Sequence, residues 1–393
     1  MSSALIYKMR LTAPNKPGTA SHNSNYVKYI AEREHVMKLS PESESGLFGR
    51  IDGTNNDELD VTDTQNYVYG ISKAGVTVYN AYISFRPEIA KRLELDSLEK
   101  WQNYIKFHID TLMRGYDIPK DRFEYIAAVH DKKGQPHIHI SFWDKDPPLT
   151  VQFVKKEVSD NVRKKLIHDT FANELSYYYG ISNEAMSDAK ELVGKLMIDF
   201  ERDISGIYSN RFSGVDIPEE LIQKYTDVLN NLPGRGRIAY AYLPKETKDM
   251  VIGMIKEMIM LPKMKSIIND YYSGTRSAAE MFDSKETDNG KSEIDRKMRK
   301  AAGDLYNRLG NIILKSMLRT LKENNEQRKK DNAEINTKIT VDSMVYALNA
   351  MSRLFRTQGA TGTVNTAHAL IGELSKQAKK DIARQKQDKG HEV

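Results

Sequence analysis

The sequence contains no cysteine. That absence removes disulfides, thiolate nucleophiles and cysteine-ligated zinc, and it fits a reducing compartment. Long hydrophobic runs are missing as well. The most apolar stretch, "MVIGMIKEMIMLP", is interrupted by Lys256 and Glu257 and is too short to span a bilayer. The opening residues, "MSSALIYKMRLTAPNKPG", lack the apolar core of a signal peptide, so a cytoplasmic location without membrane insertion is expected. No phosphate-binding loop of the form GxxxxGK[ST] is present. Charge of one sign is not in large excess either. Fifty-nine Lys and Arg against 54 Asp and Glu give a net +5, a bias that permits an anionic partner without demanding one.

What is present is a polar chain of 393 residues, 39% apolar, with a mean hydropathy of −0.60. That length exceeds the comfortable limit of one hydrophobic core, so more than one domain is expected. "SALIYKMRL" reads as a strand and "NYVKYIAEREHVMK" as a helix. Residues 40–66 are acidic and rich in turn formers, which predicts a long loop. "GVTVYNAYISF" is β-branched and aromatic, hence a strand. In "SLEKWQNYIKFHIDTLMRG" the residues Leu98, Trp101, Ile105, Ile109 and Leu112 recur at helical spacing, with Ser97 as N-cap and Gly115 as stop. Two apolar runs, "FEYIAAVH" and "HIHISFW", flank "DKKGQP", the pattern of a β-hairpin. The order of elements suggests an α+β fold, an antiparallel sheet with helices packed on one face. After Pro147-Pro148 the periodicity turns helical, and from about residue 185 nearly all of the chain reads as helix. Residues 1–185 and 186–393 are therefore taken as two domains. The stretch "NLPGRGRIAYAYLP" is read as a short hairpin or added strand, and residues 376–388 as a basic tail. The helical part holds the basic excess and is a candidate for binding DNA or a protein partner.

The chain has only nine histidines, and three fall within residues 130–139. In a strand, residues two apart face the same way, so His137 and His139 share a face. A hairpin turning at 131–136 sets His130 opposite His137, and three imidazoles then converge. Such a set can hold a divalent metal with positions left for water or a substrate oxygen. Partly exposed histidines bonded to water are the plainer alternative. His108, alone on the apolar face of its helix, reads as a core residue.

These residues carry a resemblance. "PHIHISFWDKD", following a histidine-ended strand, is similar to the histidine–hydrophobe–histidine motif of HUH endonucleases, in particular the conjugative relaxases. "NYVKYIAERE", "YISFRPEIAKRL", "RFEYIAAVHDKKGQPHIHISFWDKD" and "GRGRIAYAYLPKETKDMV" resemble the MobL branch of plasmid mobilisation proteins. The likeness covers residues 1 to about 180 and extends more loosely to about 260. It implies an HUH-type sheet and a nicking–joining reaction. A tyrosine hydroxyl attacks one phosphodiester of single-stranded or supercoiled plasmid DNA at a transfer origin and becomes linked to the 5′ phosphate; the free 3′ hydroxyl can reverse the step. The resemblance further implies His130, His137 and His139 as ligands of a divalent metal, Mn or Mg. Accessory relaxosome proteins and a type IV coupling protein are the implied partners.

The nucleophile has three candidates. Tyr29 of "YVKYI" matches the family position, Tyr26 lies three residues before it on the same helical face, and His22 is the third. An ordinary phenol titrates near 10, so attack at neutral pH needs help from a metal or a base. Asp131 alternates off the histidine face, and Glu124 lies too far along the strand to join the ligands. Arg10, Lys28 and Arg33 are candidate phosphate contacts, and Tyr125 and Trp143 candidate stacking partners or core. Two other readings stay open: an HUH enzyme of rolling-circle replication or transposition, and a non-catalytic DNA-binding or scaffold protein with a structural metal.

Overall fold

A computed structural model describes residues 3–132, 134–204, 212–233, 236–283 and 292–331. Six strands pair antiparallel throughout: β1 (Leu5–Leu11), β2 (Phe48–Ile51), β3 (Thr54–Asn56), β4 (Tyr79–Phe85), β5 (Phe123–Lys132) and β6 (Gln135–Asp144), in the order β1-β4-β6-β5-β2-β3. The architecture is α+β, as expected.

One face of the sheet carries the larger core. Leu5, Ile83, Ile140, Ala127 and Val129 point from it into a core shared with Trp101, Ile105 and Leu112 of α4 (Leu98–Gly115) and with Val162 and Leu166 of α5 (Lys156–Thr170). Helix α4 begins where the sequence places it, the Ser97 hydroxyl accepting the Lys100 amide at 3.4 Å. Helices were expected on one face only, but the second face is covered in part as well. Val27 and Ile30 of α1 (Thr19–Glu32) and Val68 of α2 (Val61–Lys73) pack on Ile126, Ala128 and Trp143.

Residues 40–66 are not the continuous loop expected. Phe48 is 1% exposed, and its strand β2 pairs with β5. Asp60 caps α2 by accepting the Asp63 amide at 2.7 Å. The strand is too short and too polar around Phe48 to announce itself, because only Leu47 and Phe48 enter the core. Helix α1 also stops earlier than its periodicity suggests. His35 adopts φ +70°, after which Val36 and Met37 run beside β5, the Met37 amide donating to Val129 O at 2.8 Å.

By contacts the chain divides into two units, the first running to Tyr179 and taking in Thr275–Met298, the second comprising Gly180–Gly274 and the residues from Arg299. The described residues of the second unit are mainly helical. Phe200 of α6 (Ala172–Ile204), Val228 of α7 (Glu219–Asn230), Met254 of α8 (Lys245–Met260), Met264 of α9 (Pro262–Phe282) and Leu309 of α10 (Glu293–Asp331) share its core. Among the described residues of the "NLPGRGRIAYAYLP" stretch, read as a short hairpin or added strand, there is no strand, and Tyr240–Tyr242 form a 3-10 turn. Asn311 Oδ1 accepts the Tyr240 amide at 3.0 Å, and a Cβ on Gly310 would meet the Tyr240 ring at 2.5 Å. Packing on a glycine of α10 thus takes the place of strand pairing. The basic stretch 376–388 lies outside the described residues.

Candidate metal and nucleophile site

The hairpin of β5 and β6 turns through Gly134, whose φ of +69° suits a residue without a side chain. In the resulting register His130 stands opposite His137, and Ala128 opposite His139. The three imidazoles therefore converge. Ring centroids lie 5.5 Å apart for His130–His137, 4.8 Å for His130–His139 and 5.2 Å for His137–His139. One nitrogen from each ring lies within 4.8 Å of the others.

Hydrogen bonds fix which nitrogens are free. His130 is 2% exposed, and its Nε2 donates to the Ile30 carbonyl at 2.8 Å. A carbonyl only accepts, so the proton sits on Nε2 and the lone pair on Nδ1. His137 Nδ1 likewise donates to the Gln135 carbonyl at 3.0 Å, which leaves Nε2. His139 Nδ1 bonds the Tyr26 hydroxyl at 2.9 Å. His130 Nδ1 and His139 Nε2 are buried and have no partner. Buried polar atoms are seldom left so, and each costs about 1–3 kcal/mol unless something binds it. Burial, then the neighbouring His130, His137 and Arg33, pushes the His139 pKa down to about 3, and burial likewise lowers His130. Unpartnered imidazole nitrogens such as His130 Nδ1 and His139 Nε2 are what a divalent cation requires. The donor set fits that group.

Both candidate tyrosines come from α1. Their rings stack with centroids 5.8 Å apart, and both meet His139 edge-on, at 6.2 Å for Tyr26 and 6.4 Å for Tyr29. Their environments differ. Burial first, then Tyr29, pushes the Tyr26 phenol up to about 12, while Arg10 and Arg33 pull the other way. Tyr29 is 46% exposed, its hydroxyl accepts a hydrogen bond from Arg33, and the Arg33 guanidinium lies 4.9 Å from its ring centroid. His22 is exposed, one turn before Tyr26 on the same helix.

Of the other residues singled out by sequence, Tyr125 and Trp143 are core, at 3% and 0% exposure, and neither is available for base stacking. Trp143 Nε1 instead donates to Glu124 Oε2 at 3.0 Å. Glu124 is itself buried and also accepts from the Tyr67 hydroxyl at 2.7 Å and the Asp52 amide at 2.8 Å, so its oxygens are engaged away from the histidines. Asp131, paired with Pro136, alternates to the other face. Lys28 is exposed and ion-paired with Glu32 at 3.8 Å. His108 is a core residue 5% exposed, its ring against Tyr104 at 4.3 Å, with burial pushing its pKa down to about 4. One residue escaped sequence reasoning. Tyr82 of β4 places its ring 5.3 Å from His137 and 5.6 Å from His139. Only the β4–β6 register, which sets Tyr82 opposite His139, reveals it.

Among the described residues no helix is long and apolar enough to cross a membrane. The family model for MobL relaxases matches residues 20–363, most of the chain. No curated protein matches, and no solved structure does.

Proposed function

The chain belongs to the MobL relaxase family, and from that membership we propose that it nicks and rejoins one strand of plasmid DNA at a transfer origin, with Tyr29 as nucleophile. One observation carries the reading: three imidazoles with free nitrogens facing one another, beside two stacked tyrosines.

His130, His137 and His139 would hold the divalent cation, Mn or Mg. Bound there, such an ion supplies Lewis acidity at a phosphoryl oxygen, undiminished by negative ligands. The protein's own groups do the rest. Ile30 O and Gln135 O hold two of the imidazoles in the tautomers described. The Tyr26 hydroxyl orients the third. Arg33, bonded to the Tyr29 hydroxyl, stabilises the phenolate as the proton leaves. The bond from Tyr29 Oη to phosphorus forms as the bond to O3′ breaks. The phenol's proton is given up and the leaving oxygen takes one, so the exchange conserves bond type and needs no nucleotide. Reversal by the 3′ hydroxyl rejoins the strand. Tyr26 and His22 are the other nucleophile candidates. The burial of Tyr26 and its engagement with His139 favour Tyr29. We place the reaction in the cytoplasm, with accessory relaxosome proteins and a coupling protein as partners.

The test is a protein–DNA adduct that survives SDS. Supercoiled DNA carrying the transfer origin of the encoding element is incubated with protein and Mn or Mg. Adduct from the natural protein and none from Tyr29→Phe is the expected result. Adduct retained in Tyr29→Phe and lost in Tyr26→Phe or His22→Ala moves the nucleophile. No adduct from the natural protein on that DNA refutes the reaction.

A further inference from the structure

Helix α1, which carries both candidate tyrosines, is fastened at two places. After Tyr29, the Ile30 carbonyl takes the bond from His130 Nε2 at 2.8 Å. Before Tyr26, polar side chains join α1 to α2. The Ser24 hydroxyl donates to the Gln65 carbonyl at 3.0 Å, and Gln65 Nε2 donates back to the Ser24 carbonyl at 3.3 Å. Asn23 Nδ2 donates to the Ser72 hydroxyl at 3.1 Å. Gln65 and Ser72 are two turns apart, about 10.5 Å along α2, yet they grip neighbouring residues of α1. Bonds so placed stop α1 from sliding along α2 and from turning upon it. Helix α2 is in turn tied to the histidine-bearing strands. The Tyr67 hydroxyl donates to Glu124 Oε2 at 2.7 Å and Trp143 Nε1 donates to the same oxygen at 3.0 Å, Glu124 and Trp143 facing each other on β5 and β6.

Stability alone does not account for these bonds. Val27 and Ile30 already pack with Val68 of α2, and Asn23, 2% exposed, keeps its Oδ1 buried without a partner. Apolar packing is non-directional, so helices joined by it alone can settle in more than one register. A buried Asn between helices costs stability and selects one register. We infer that Gln65 and Ser72 are positioning residues of the strand transfer. With Ser24 and Asn23 they fix the N-terminal half of α1, Ile30 fixes the other half, and the tyrosines between are held at one distance from a phosphate on the histidine site. The inference rests on the relaxase reading for its reaction. It holds for Tyr26 and Tyr29 alike, since both lie between the fastenings. Misplacing a reacting group by about 1 Å costs about 100-fold in rate, so the register of this one helix matters to the chemistry.

The test replaces the polar contacts by apolar ones of similar size, Asn23→Leu and Ser24→Ala on α1 with Gln65→Met and Ser72→Ala on α2. Removing both side chains of a bonded pair leaves no orphan between them, so the melting temperature should hold or rise. The rate of adduct formation at saturating Mn and cognate supercoiled DNA should fall about 10- to 100-fold, with the half-saturating DNA concentration unchanged. A second readout needs neither metal nor DNA. The chain has no cysteine, so Lys28→Cys on α1 and Lys145→Cys beyond β6 take a pair of spin labels at exposed positions. In the metal-free protein their separation, one narrow distribution with the natural contacts, should shift or broaden by about 1 Å or more in the quadruple variant. A natural rate in that variant, or an unchanged label separation, overturns the inference, because contacts that only hold the fold together are served as well by apolar packing. If the quadruple variant does not fold, Ser24→Ala with Gln65→Met carries the test, both sites being half-buried, and the same two changes are required of it. No adduct from the natural protein overturns the relaxase reading and this one with it. Adduct from the natural protein with an unchanged rate in the variants overturns this one alone.

Discussion

Tyr26→Phe separates the two tyrosines. The substitution deletes one oxygen, the partner of His139 Nδ1 at 2.9 Å, and leaves the ring packed against Tyr29. If Tyr26 only holds His139, the loss is that of an outer hydrogen bond to a metal ligand, about 10- to 100-fold in metal affinity, or about 1.4–2.7 kcal/mol. If Tyr26 is the nucleophile, the loss is absolute. The phenol's own chemistry favours the first outcome. Ionising a group of pKa about 12 at about pH 7.5 costs about 6 kcal/mol, against about 3.4 for an ordinary phenol. The difference is about a hundredfold in phenolate available for attack.

The assay is a Mn titration followed two ways, by calorimetry for binding and by SDS-stable adduct for chemistry. Tyr26→Phe should bind Mn more weakly by the stated factor and recover adduct formation as Mn is raised. Tyr29→Phe should bind Mn normally and form no adduct at any concentration. Tyr26→Phe with normal Mn affinity and no adduct at saturation would refute the reasoning and make Tyr26 the nucleophile.

Replacing His137 and His139 together by Ala should abolish Mn binding and adduct, while changing the melting temperature of the metal-free protein little; persistent nicking sinks the metal reading. His139 and His108 have folded pKa values near 3 and 4, well below the unfolded value of about 6.5, so the unfolded chain binds protons that the folded chain refuses. Stability should therefore be full above about pH 6.5 and fall as pH drops toward 4, by up to about 1.4 kcal/mol per unit for each histidine; a melting temperature that stays flat between about pH 7 and 5 contradicts this. Glu124→Ala strips the acceptor from Tyr67, Trp143 and the Asp52 amide at once. Of the three donors only Trp143 Nε1 is fully buried, and a buried orphan costs about 1–3 kcal/mol, so denaturant unfolding should show a loss of about that size; no measurable loss would show that water replaces the carboxylate.

Continuous apolar runs made the β5–β6 hairpin legible, because β5 is buried on both faces through Ile126 and Ala128 on one side and Ala127 and Val129 on the other, and the 3.6 period of Leu98, Trp101 and Ile105 did the same for helix α4. The triad was legible too: strand alternation and one tight turn suffice to bring three imidazoles together. What escaped depends on pairing between distant segments. Strand β2 contributes little more than Phe48 to the core, and its acidic surroundings hide it. Tyr82 sits 55 positions before His137 and meets it only through the β4–β6 register. The burial of Trp143 beneath α2 likewise follows from a partner, Glu124, that no local pattern identifies.

The uneven covering of the sheet explains how a site with orphaned nitrogens persists. Helices α3 (Pro87–Arg92), α4 and α5 bury one face, and α1 and α2 bury half of the other. Two apolar clusters thus flank the hairpin, and their burial, at about 25 cal/mol per Å² of apolar surface, offsets the few kcal/mol lost at His130 Nδ1 and His139 Nε2. Had α1 and α2 covered the whole face, the imidazoles would be sealed in the core as His108 is. Had they covered none of it, the tyrosines would have no helix to hold them over His139, and the rings would be solvated, protonatable and poor ligands. Half-coverage leaves His130 and His139 with lowered pKa values, two tyrosines held over His139 from one side and an uncovered half-face on the other.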